Sequence, residues 1–377
     1  MKICFWGDVG KALRGNTNGG GELQVALIAK ALALGGHDVV IVDYETTEDF
    51  VTVDGIKVFK IKGWNNGIRA IRTFTHRLPR LYRSLKAQQA DIYYGRIRDF
   101  RQIIVYLAAR KVKAKFVLGL ASNLDALNIL MRLRYHHFLN FSGLWGIFNG
   151  ILIEIVYPFL LRKADMVLVQ HKGQKNILQK KHIKSTIFPN IFDLSRQPVI
   201  NSNSHEDFIY VGELNNRKGL VEFFEIIKKA PLHSFKIVGQ PSGKKGLAIY
   251  EKLKSYRNVS LLGRLSHYDT VSQIANSTAL ISTSPMEGFP NVFIEAWASG
   301  IPVLSLYVDP GNIIEKEKLG IIAHGNQLIL LQELDKTKNT DEFAIRAKTY
   351  VENNHVLNNN KIKEIDSLFT LIYKNGK

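Results

Sequence analysis

Residues 284–303 read Ser-Pro-Met-Glu-Gly-Phe-Pro-Asn-Val-Phe-Ile-Glu-Ala-Trp-Ala-Ser-Gly-Ile-Pro-Val. They follow an apolar run, 279–283, which predicts a strand that ends where this stretch begins. A loop with one carboxylate comes next, and then a short helix that carries a second carboxylate and stops at Gly300. The residues from Pro302 onward begin another strand. A strand, a helix and a second strand in this order are typical of a parallel sheet covered by helices.

The loop in this stretch predicts an anion site. The backbone N–H groups from Phe289 to Val292 would lie at a helix N-terminus, where unpaired N–H groups and the helix dipole favour negative charge. Glu287 lies just before this loop and Glu295 lies within the helix. Both carboxylates would repel an isolated phosphate but accept hydrogen bonds from sugar hydroxyls. The stretch therefore indicates a ligand that combines a diphosphate with hydroxyl groups.

The alternation of strands and helices continues in both directions along the chain. Apolar runs and helical spacing predict second-half strands at 208–211, 235–238, 259–262, 279–283 and 302–305, with helices at 220–229, 270–275 and 292–299. In the first half they predict strands at 3–6, 39–43, 92–94, 116–118 and 166–169, the last closing the series, and a helix at 22–34. We therefore predict an α/β fold of two Rossmann-like domains that face a central cleft.

The length of 377 residues suits two domains. We predict an N-terminal domain over 1–190, a C-terminal domain over 191–355 that begins with a linker over 191–205, and a C-terminal helix over 356–377 that packs back on the first domain. The one cysteine, Cys4, excludes a disulfide framework and fits a reducing compartment. The first residues lack the features of a signal peptide, so we expect a cytoplasmic protein.

The formal net charge of +18 is unevenly distributed. Residues 1–190 contain 29 Lys and Arg against 13 Asp and Glu, whereas residues 191–377 contain 22 against 20. An excess of this size in one half indicates an anionic partner for that half, such as a membrane surface or a nucleic acid. The sequence contains no recognisable nucleic-acid-binding module, so we expect no nucleic-acid partner.

The stretch around Glu287 and Glu295 resembles the retaining glycosyltransferases of family 4, whose mark is two glutamates separated by seven residues. Six further segments fall in the order of that family: Gly19–Glu22 with 34–39, 164–169, 188–193, 211–219, the Val-Gly segment at 238 and the Leu-Gly segment at 262. The resemblance extends through most of the chain. It implies the GT-B fold and transfer of a sugar from a nucleotide-sugar donor with retention of configuration.

The resemblance also implies roles for individual residues. Glu287 would contact the donor sugar, Glu295 the ribose, and Lys218 with Arg217 the diphosphate, so that Glu287 and Lys218 are the catalytic candidates. The other donor-binding candidates lie in three segments: Gly20 and Gly21 from the first domain, Arg264 and Leu265 near the base, and Gly288, Phe289, Pro290, Asn291 and Val292. The donor would be a UDP- or GDP-sugar. No cofactor and no metal are expected.

Two departures from the family pattern bear on the site. Glu213 stands where the family usually has an arginine, which leaves the diphosphate to Lys218 and Arg217. Many members also have a histidine after the strand that corresponds to 116–118, facing the reaction centre, and this chain has none there. Three polar residues follow that strand and are candidates for the place of the histidine: Ser122, Asn123 and Asp125.

The basic first half predicts a membrane-facing surface. Apolar residues keep helical spacing over 68–85, arginines 69, 72, 80 and 83 lie on other faces, and Pro79 should kink or split the helix. The segment 135–161 is apolar and long enough to span a bilayer, but Glu154 and Pro158 favour a core helix with an exposed apolar loop at 138–147. We expect peripheral binding to the inner face of an anionic membrane.

The leading hypothesis is thus a retaining hexosyltransferase acting on a lipid-linked or cell-surface polysaccharide acceptor. A nucleotide-sugar epimerase of similar architecture is the alternative enzyme class, although it fits the two spaced glutamates poorly. A basic nucleic-acid-binding protein is the non-enzymatic alternative.

Overall fold

The structure, a computed structural model, describes residues 1–14, 19–69, 71–96, 98–127, 143–196, 207–338 and 340–374. The chain forms two compact units. The first contains residues 1–191 together with 357–377, and the second contains residues 192–356. The predicted linker, 191–205, falls largely outside the described residues, as do residues 138–142 of the predicted apolar loop at 138–147. The prediction of a loop is wrong for residues 143–147, which form the first turns of a helix, Gly143–Lys163.

The first unit is built on an eight-stranded sheet in the order β3-β4-β2-β1-β5-β6-β7-β8. All neighbouring strands in it are parallel except the β3–β4 pair. The strands are β1 (Lys2–Trp6), β2 (Asp38–Asp43), β3 (Phe50–Val51), β4 (Lys57–Lys60), β5 (Ile92–Gly95), β6 (Lys115–Gly119), β7 (Met166–Val169) and β8 (Ser185–Ile187).

Helices cover both faces of this sheet. They are α1 (Gly10–Leu13), α2 (Gly20–Leu34), α3 (Leu78–Ala87), α4 (Gln102–Lys111), α5 (Asn123–Ala126), α6 (Gly143–Lys163), α7 (Lys172–Gln179) and the C-terminal α15 (Asn359–Lys374). Ile3 and Phe5 of β1 pack in one buried cluster with α2 and α15, while Cys4 and Trp6 pack in another with α3, α4 and α6. The alternation follows from the two-residue period of a strand. The C-terminal helix is therefore part of the first unit.

The first unit differs from the prediction in two further places. Met166–Val169 does not close the sheet, because β8 follows it as an edge strand. The β3–β4 hairpin was not predicted, since its strands are short and only partly apolar. The predicted helix over 68–85 contains a π-helical turn at Thr73–Arg77 that runs directly into α3, and Pro79 lies in the first turn of α3. None of the described helices is long and apolar enough to cross a membrane.

The second unit contains a six-stranded, wholly parallel sheet in the order β11-β10-β9-β12-β13-β14. Its strands are β9 (Asp207–Val211), β10 (Ser234–Val238), β11 (Val259–Gly263), β12 (Ala279–Ser282), β13 (Val303–Ser305) and β14 (Gly320–Ile322). The chain runs outward from β9 to β11 and then returns to the centre at β12. The β9–β12 pair is therefore the point where the strand order reverses, and ligands bind outside the carboxyl ends of the strands at such a point.

The helices of the second unit are α8 (Leu220–Lys229), α9 (Gly243–Leu253), α10 (His267–Ala275), α11 (Asn291–Ala298), α12 (Ile313–Lys316), α13 (Gln327–Lys336) and α14 (Asp341–Asn354). Trp297 of α11 is fully buried, and its indole N–H donates to the Leu319 carbonyl at 2.8 Å. Helix α10 begins at His267, three residues before the predicted start at Thr270. Ser266 caps it by accepting a hydrogen bond from the Asp269 backbone N–H.

Candidate functional site

The candidate site of the second unit lies where β9 and β12 end. A single 3-10 turn, Asn216–Lys218, follows β9 and leads through Gly219 into α8. The Asn215 side chain accepts a hydrogen bond from the Lys218 backbone N–H at 3.2 Å and so caps the turn. The site therefore begins with a lysine at the carboxyl end of a central strand.

Two side chains fix the backbone of this lysine. The Tyr210 hydroxyl donates to the Lys218 carbonyl at 2.9 Å, and the Thr283 hydroxyl donates to the Gly219 carbonyl at 2.8 Å. Gly219 is in the left-handed region, with φ of 71°, and a Cβ there would lie 1.9 Å from the Thr283 carbonyl oxygen. Only glycine fits this position, because both the dihedral angle and the approach of Thr283 exclude a side chain. The turn is thus tied directly to the end of β12.

The two catalytic candidates are in contact. Lys218 Nζ lies 2.5 Å from Glu287 Oε1, and both side chains remain partly accessible, at 38% and 21%. The two residues come from different loops, one after β9 and one after β12, and the parallel pairing of these strands brings the loops together. A charge-assisted hydrogen bond of this kind is stronger than a neutral one.

Helix α11 begins beside this pair. Its first residue is Asn291, and Pro290 before it provides no side-chain cap. The predicted set of N–H donors from Phe289 to Val292 needs one correction, because Pro290 has no N–H. The Phe289 ring is buried and packs edge-on against Trp297 and His355, so it supports the loop from beneath. Gly288 separates this anchored residue from Glu287.

Glu295 lies in the second turn of α11 and is buried, with 4% of its surface exposed. His267 Nε2 lies 3.0 Å from Glu295 Oε1. A carboxylate can accept about four hydrogen bonds, and His267 is the one partner of Glu295 among the described residues. The structure therefore adds His267 to the site, a residue that the sequence prediction did not include.

Arg264 and Leu265 lie between β11 and α10, next to His267 in the chain. Leu265 packs against the buried cluster that includes α11, whereas Arg264 is exposed. Arg217 forms an ion pair with Glu213 at 3.0 Å. A hydrogen bond from Ser242 and the charge of Arg217 lower the pKa of Glu213. Arg217 therefore faces the acidic residue that replaces the family arginine, which leaves Lys218 as the better placed cation.

Gly20 and Gly21 belong to the first unit, in the first turn of α2. A Cβ added at Gly21 would meet no atom within 4 Å, so packing within the described protein does not require glycine there. The open space allows another molecule to approach the backbone closely.

The three acceptor-side candidates lie after β6 in the first unit and have different surroundings. Ser122 caps α5, and the carboxylate of Asp125 accepts from the Ala121 and Ser122 backbone N–H groups at 2.9 and 3.0 Å. These two residues form a capping box, which accounts for them structurally. Asn123 instead faces His171, with Nε2 2.9 Å from its Oδ1.

His171 follows β7 and was not among the predicted site residues. Its Nδ1 accepts from the Gly173 backbone N–H at 3.2 Å, so the Nε2–H tautomer donates to Asn123. Burial lowers the pKa of His171 to about 4, so the imidazole is neutral at pH 7. The structure thus places a histidine beside the predicted acceptor-side residues, but on the neighbouring strand, and both its ring nitrogens are engaged.

Within the described ranges, no group of three or more His, Cys, Asp or Glu is arranged to hold a metal ion.

The family model and the curated relatives that match this chain are all described as glycosyltransferases. The family model described as Glycosyl transferases group 1 matches residues 205–339. An uncharacterized glycosyltransferase of Haemophilus influenzae is 24% identical over 340 residues, which cover 87% of this chain and 89% of that protein. An uncharacterized glycosyltransferase of Methanocaldococcus jannaschii is 29% identical over 181 residues, a match that spans 42% of this chain and 44% of that protein.

Solved structures share the fold over the whole chain. Sucrose-phosphate synthase from Thermosynechococcus elongatus superposes with a TM-score of 0.77 at 14% identity, covering 100% of both chains. Anabaena HepE in complex with UDP and glucose superposes with a TM-score of 0.70 at 15% identity, covering 98% of this chain and 99% of that one. These neighbours confirm the predicted GT-B fold class.

Proposed function

We propose that this chain, which belongs to the group 1 glycosyltransferases, transfers a hexosyl group from a nucleotide-sugar to a hydroxyl of a lipid-linked or cell-surface saccharide. The observation that carries the proposal is the contact between Lys218 and Glu287 at the carboxyl ends of β9 and β12. A fixed cation beside a carboxylate and a helix N-terminus suits a ligand with both phosphates and hydroxyls.

Lys218 is proposed to neutralise the charge that develops on the departing nucleoside diphosphate. Its backbone is held by Tyr210 and Thr283, so the ammonium group is directed by a fixed turn rather than a flexible loop. Stabilisation of growing charge by preorganised donors is the largest contribution in many enzymes. The N-terminus of α11 adds a positive partial charge near the same point.

Glu287 is proposed to exchange partners when the donor binds. A diphosphate attracts Lys218 more strongly than a carboxylate does, because it carries more negative charge. Glu287 would then accept hydrogen bonds from the hydroxyls of the donor sugar. These bonds strengthen as the sugar gains positive character in the transition state.

Glu295 is proposed to bind the ribose. Its buried carboxylate receives one hydrogen bond, from His267, and has capacity for more. The two hydroxyls of a ribose match that capacity. Arg264 and Leu265, in the loop that leads to His267, are proposed to lie near the base. HepE is described in complex with UDP, which makes UDP-sugars the first donors to test.

The resemblance to family 4 supports retention of the anomeric configuration and use of the Gly20–Gly21 backbone in donor binding. The open space around Gly21 is consistent with such an approach. An NMR spectrum of the earliest product would show the retained anomer, and the inverted anomer would contradict this part of the proposal.

The experiment that tests the function is incubation of the protein with a panel of UDP- and GDP-sugars, with detection of released nucleoside diphosphate. We expect slow release from one donor or a small set, with water as acceptor, and faster release when a saccharide acceptor is added. Lys218→Ala should abolish both signals, and Lys252→Ala, an exposed lysine of α9, should change neither. Equal release from wild type and Lys218→Ala would contradict the proposal.

We further propose that the first unit contacts an anionic membrane, which would place the enzyme beside a lipid-linked acceptor. Four apolar residues of α6 are spaced four apart and exposed by 41–67%: Ile147, Ile151, Ile155 and Phe159. Spacing of this kind places them on one face of the helix. We call these four residues the α6 stripe.

Helix α6 contacts the arginine-rich segment at 68–85. Phe148 of the same helix lies 6.1 Å from Phe74, ring centre to ring centre, and Phe74 belongs to the arginine-rich segment at 68–85. An apolar face beside a cationic segment is complementary to the interface of an anionic bilayer. The predicted membrane residues Phe138, Leu139, Phe141, Leu144 and Trp145 lie outside the side chains that the structure describes.

A further inference from the structure

Arg96 occupies an unusual position in the first unit. It directly follows β5, at the carboxyl end of the sheet, and only 4% of its surface is exposed. The end of the neighbouring strand β6 is a glycine, Gly119, and a Cβ there would lie 2.3 Å from the Tyr94 hydroxyl and 3.4 Å from Arg96 Cγ. A side chain at Gly119 would therefore displace the Tyr94 hydroxyl, whereas it would only touch the aliphatic part of Arg96.

The guanidinium has few partners for a buried cation. Nη2 donates to Asn190 Oδ1 at 2.8 Å, while Nε is buried and makes no hydrogen bond. Among the described residues, no carboxylate lies within 4 Å of Arg96. Arginine stays charged in proteins and has five N–H groups to satisfy. The Tyr94 hydroxyl also lies close enough to interact with the guanidinium, but it is a neutral group. The whole charge of Arg96, and most of its donor capacity, are therefore unmatched by the described protein.

Two arginines nearby in the chain provide a contrast. Arg98 pairs with Glu154, and Arg101 pairs with Asp99 at 2.5 Å. Both side chains are more accessible than Arg96, at 21% and 20%, yet each has a carboxylate partner. A buried charge without a counter-charge is costly, and the cost increases with burial. The most buried of the three arginines is thus the one that lacks an acid.

The partner of Arg96 belongs to a network of neutral amides. Asn190 Oδ1 also accepts from Gln170 Nε2 at 3.0 Å, and Gln174 Nε2 donates to Gln170 Oε1 at 3.2 Å and to Asn123 Oδ1 at 3.0 Å. The network holds Asn190 in place and links Arg96 to Asn123 along the carboxyl ends of the strands. Because amides are uncharged, no part of it neutralises the arginine.

We propose that Arg96 is the binding residue for an oxyanion, a phosphate or a carboxylate, carried by the acceptor substrate. An oxyanion would supply the missing counter-charge and accept in the planar, two-pronged geometry that a guanidinium favours. The assignment of the oxyanion to the acceptor rests on the proposed function. The binding of an oxyanion at Arg96 does not.

Thermal unfolding in inorganic phosphate tests the binding directly, compared with sodium chloride at equal ionic strength. Phosphate should raise the melting temperature of the wild type, because a ligand that binds the folded state stabilises it. Lys218→Ala should keep this stabilisation by phosphate. That result would distinguish phosphate binding at Arg96 from phosphate binding near Lys218 in the second unit. Arg96→Gln should lose the stabilisation by phosphate, with an apparent Kd for phosphate at least tenfold weaker than that of the wild type. Acetate as a second probe distinguishes a carboxylate site from a phosphate site.

Asn190→Asp provides an independent variant. It places a carboxylate oxygen where Arg96 Nη2 now donates to an amide. We expect a higher melting temperature than wild type in chloride and a loss of the phosphate and acetate responses. Arg96→Gln should also fold in chloride with no loss of stability, since it removes an uncompensated charge. A purely structural arginine would instead give a lower melting temperature.

An equal phosphate response in wild type and Arg96→Gln would overturn the inference, as would a wild type that responds to neither anion. Activity assays then place the oxyanion. If Arg96→Gln raises the KM for the acceptor but not for the donor, the oxyanion belongs to the acceptor. A raised KM for the donor alone would overturn that assignment. If no nucleotide-sugar is turned over while the anion response persists, the proposed function fails and the Arg96 site stands.

Discussion

The chemistry of the candidate site depends on a few charged side chains and on what holds each of them. Lys218 is held through its backbone, Glu287 through its contact with Lys218, and Glu295 by burial and by His267. Each is fixed by a different element, so each can be changed without removing the others. Single substitutions should therefore separate donor binding from turnover.

Glu287→Gln should lower kcat more than it weakens donor binding. The amide keeps the shape and one hydrogen-bond acceptor but loses the negative charge that favours the positive sugar of the transition state. We expect a fall in kcat of at least tenfold with a donor Kd changed by less than threefold. Steady-state kinetics combined with equilibrium donor binding would check this. Equal losses in kcat and in donor affinity would show that Glu287 acts only in binding.

His171 should make the stability of the protein depend on pH. Its pKa is about 4 in the folded protein, below the usual 6.5, so the unfolded chain binds the proton more tightly. The resulting stability is present above pH 6.5 and is lost as the pH falls toward 4. We expect a contribution of about 2 kcal/mol to disappear between pH 7 and pH 5.

Urea unfolding of wild type and His171→Gln at the two pH values measures this contribution. The wild type should lose more of its free energy of unfolding on acidification than the variant does. Equal losses would show that His171 does not remain neutral in the folded protein.

At the residue scale, the sequence motifs predicted Lys218, Glu287 and Glu295 as site residues, because the spacing of charged residues around a loop can be read directly from the sequence. His267 was missed although Ser266 and Asp269 form a capping pattern that places the helix start at His267. His171 was missed because it meets Asn123 across two strands that are far apart in sequence. Contacts of that kind depend on strand order, which residue spacing does not reveal.

At the scale of elements, the turn between β9 and α8 is the most constrained part of the site. Gly219→Ala should destabilise the second unit by more than 1 kcal/mol, because the new methyl group both requires φ of 71° and clashes with the Thr283 carbonyl. The shift should also move Lys218 and weaken donor binding.

Gly243→Ala is the matched control for this turn. Gly243 has the same φ of 71°, but a Cβ there would meet no atom within 4 Å. The difference in unfolding free energy between the two variants therefore isolates the clash with Thr283. If both variants lose the same stability, the close approach of Thr283 contributes nothing.

Central strands were predicted well, since buried parallel strands are continuous apolar runs. Several helices of the second unit were not predicted, among them α14 (Asp341–Asn354). Helix α8 agrees with its predicted range of 220–229, and β7 with 166–169. The strands β3, β4, β8 and β14 were not predicted, because runs of two to four residues are too short to show a periodic apolar pattern. The candidate site lies at the ends of β9 and β12, which are central strands, and the sequence predicts both of them.

At the scale of the whole molecule, the two units differ in charge, and the basic excess lies in residues 1–190. We predict that the protein co-sediments with vesicles containing phosphatidylglycerol at low salt, and that high salt weakens this binding. Replacing Ile151 and Ile155 of the α6 stripe by Ser should reduce partitioning about thirtyfold, since each contributes about 1 kcal/mol when inserted.

Leu232→Ser with Leu247→Ser is the matched control for the α6 stripe, because these leucines are exposed by 95% and 52% in the second unit. This control should bind like wild type. Binding that is unaffected by the stripe substitutions, or absent from anionic vesicles at low salt, would contradict the membrane proposal and favour an acceptor in solution.

The central claim is that the second unit holds the nucleotide-sugar through Lys218 and Glu295. Titration calorimetry with the donor selected from the nucleotide-sugar panel tests it most directly. Lys218→Ala and Glu295→Gln should each weaken binding by about 1.5–3 kcal/mol, roughly tenfold to a hundredfold in Kd, because each removes a charge-assisted hydrogen bond. Lys252→Ala and Glu352→Gln, exposed residues of the same unit, should bind like wild type. Wild-type affinity in both site variants would contradict the account.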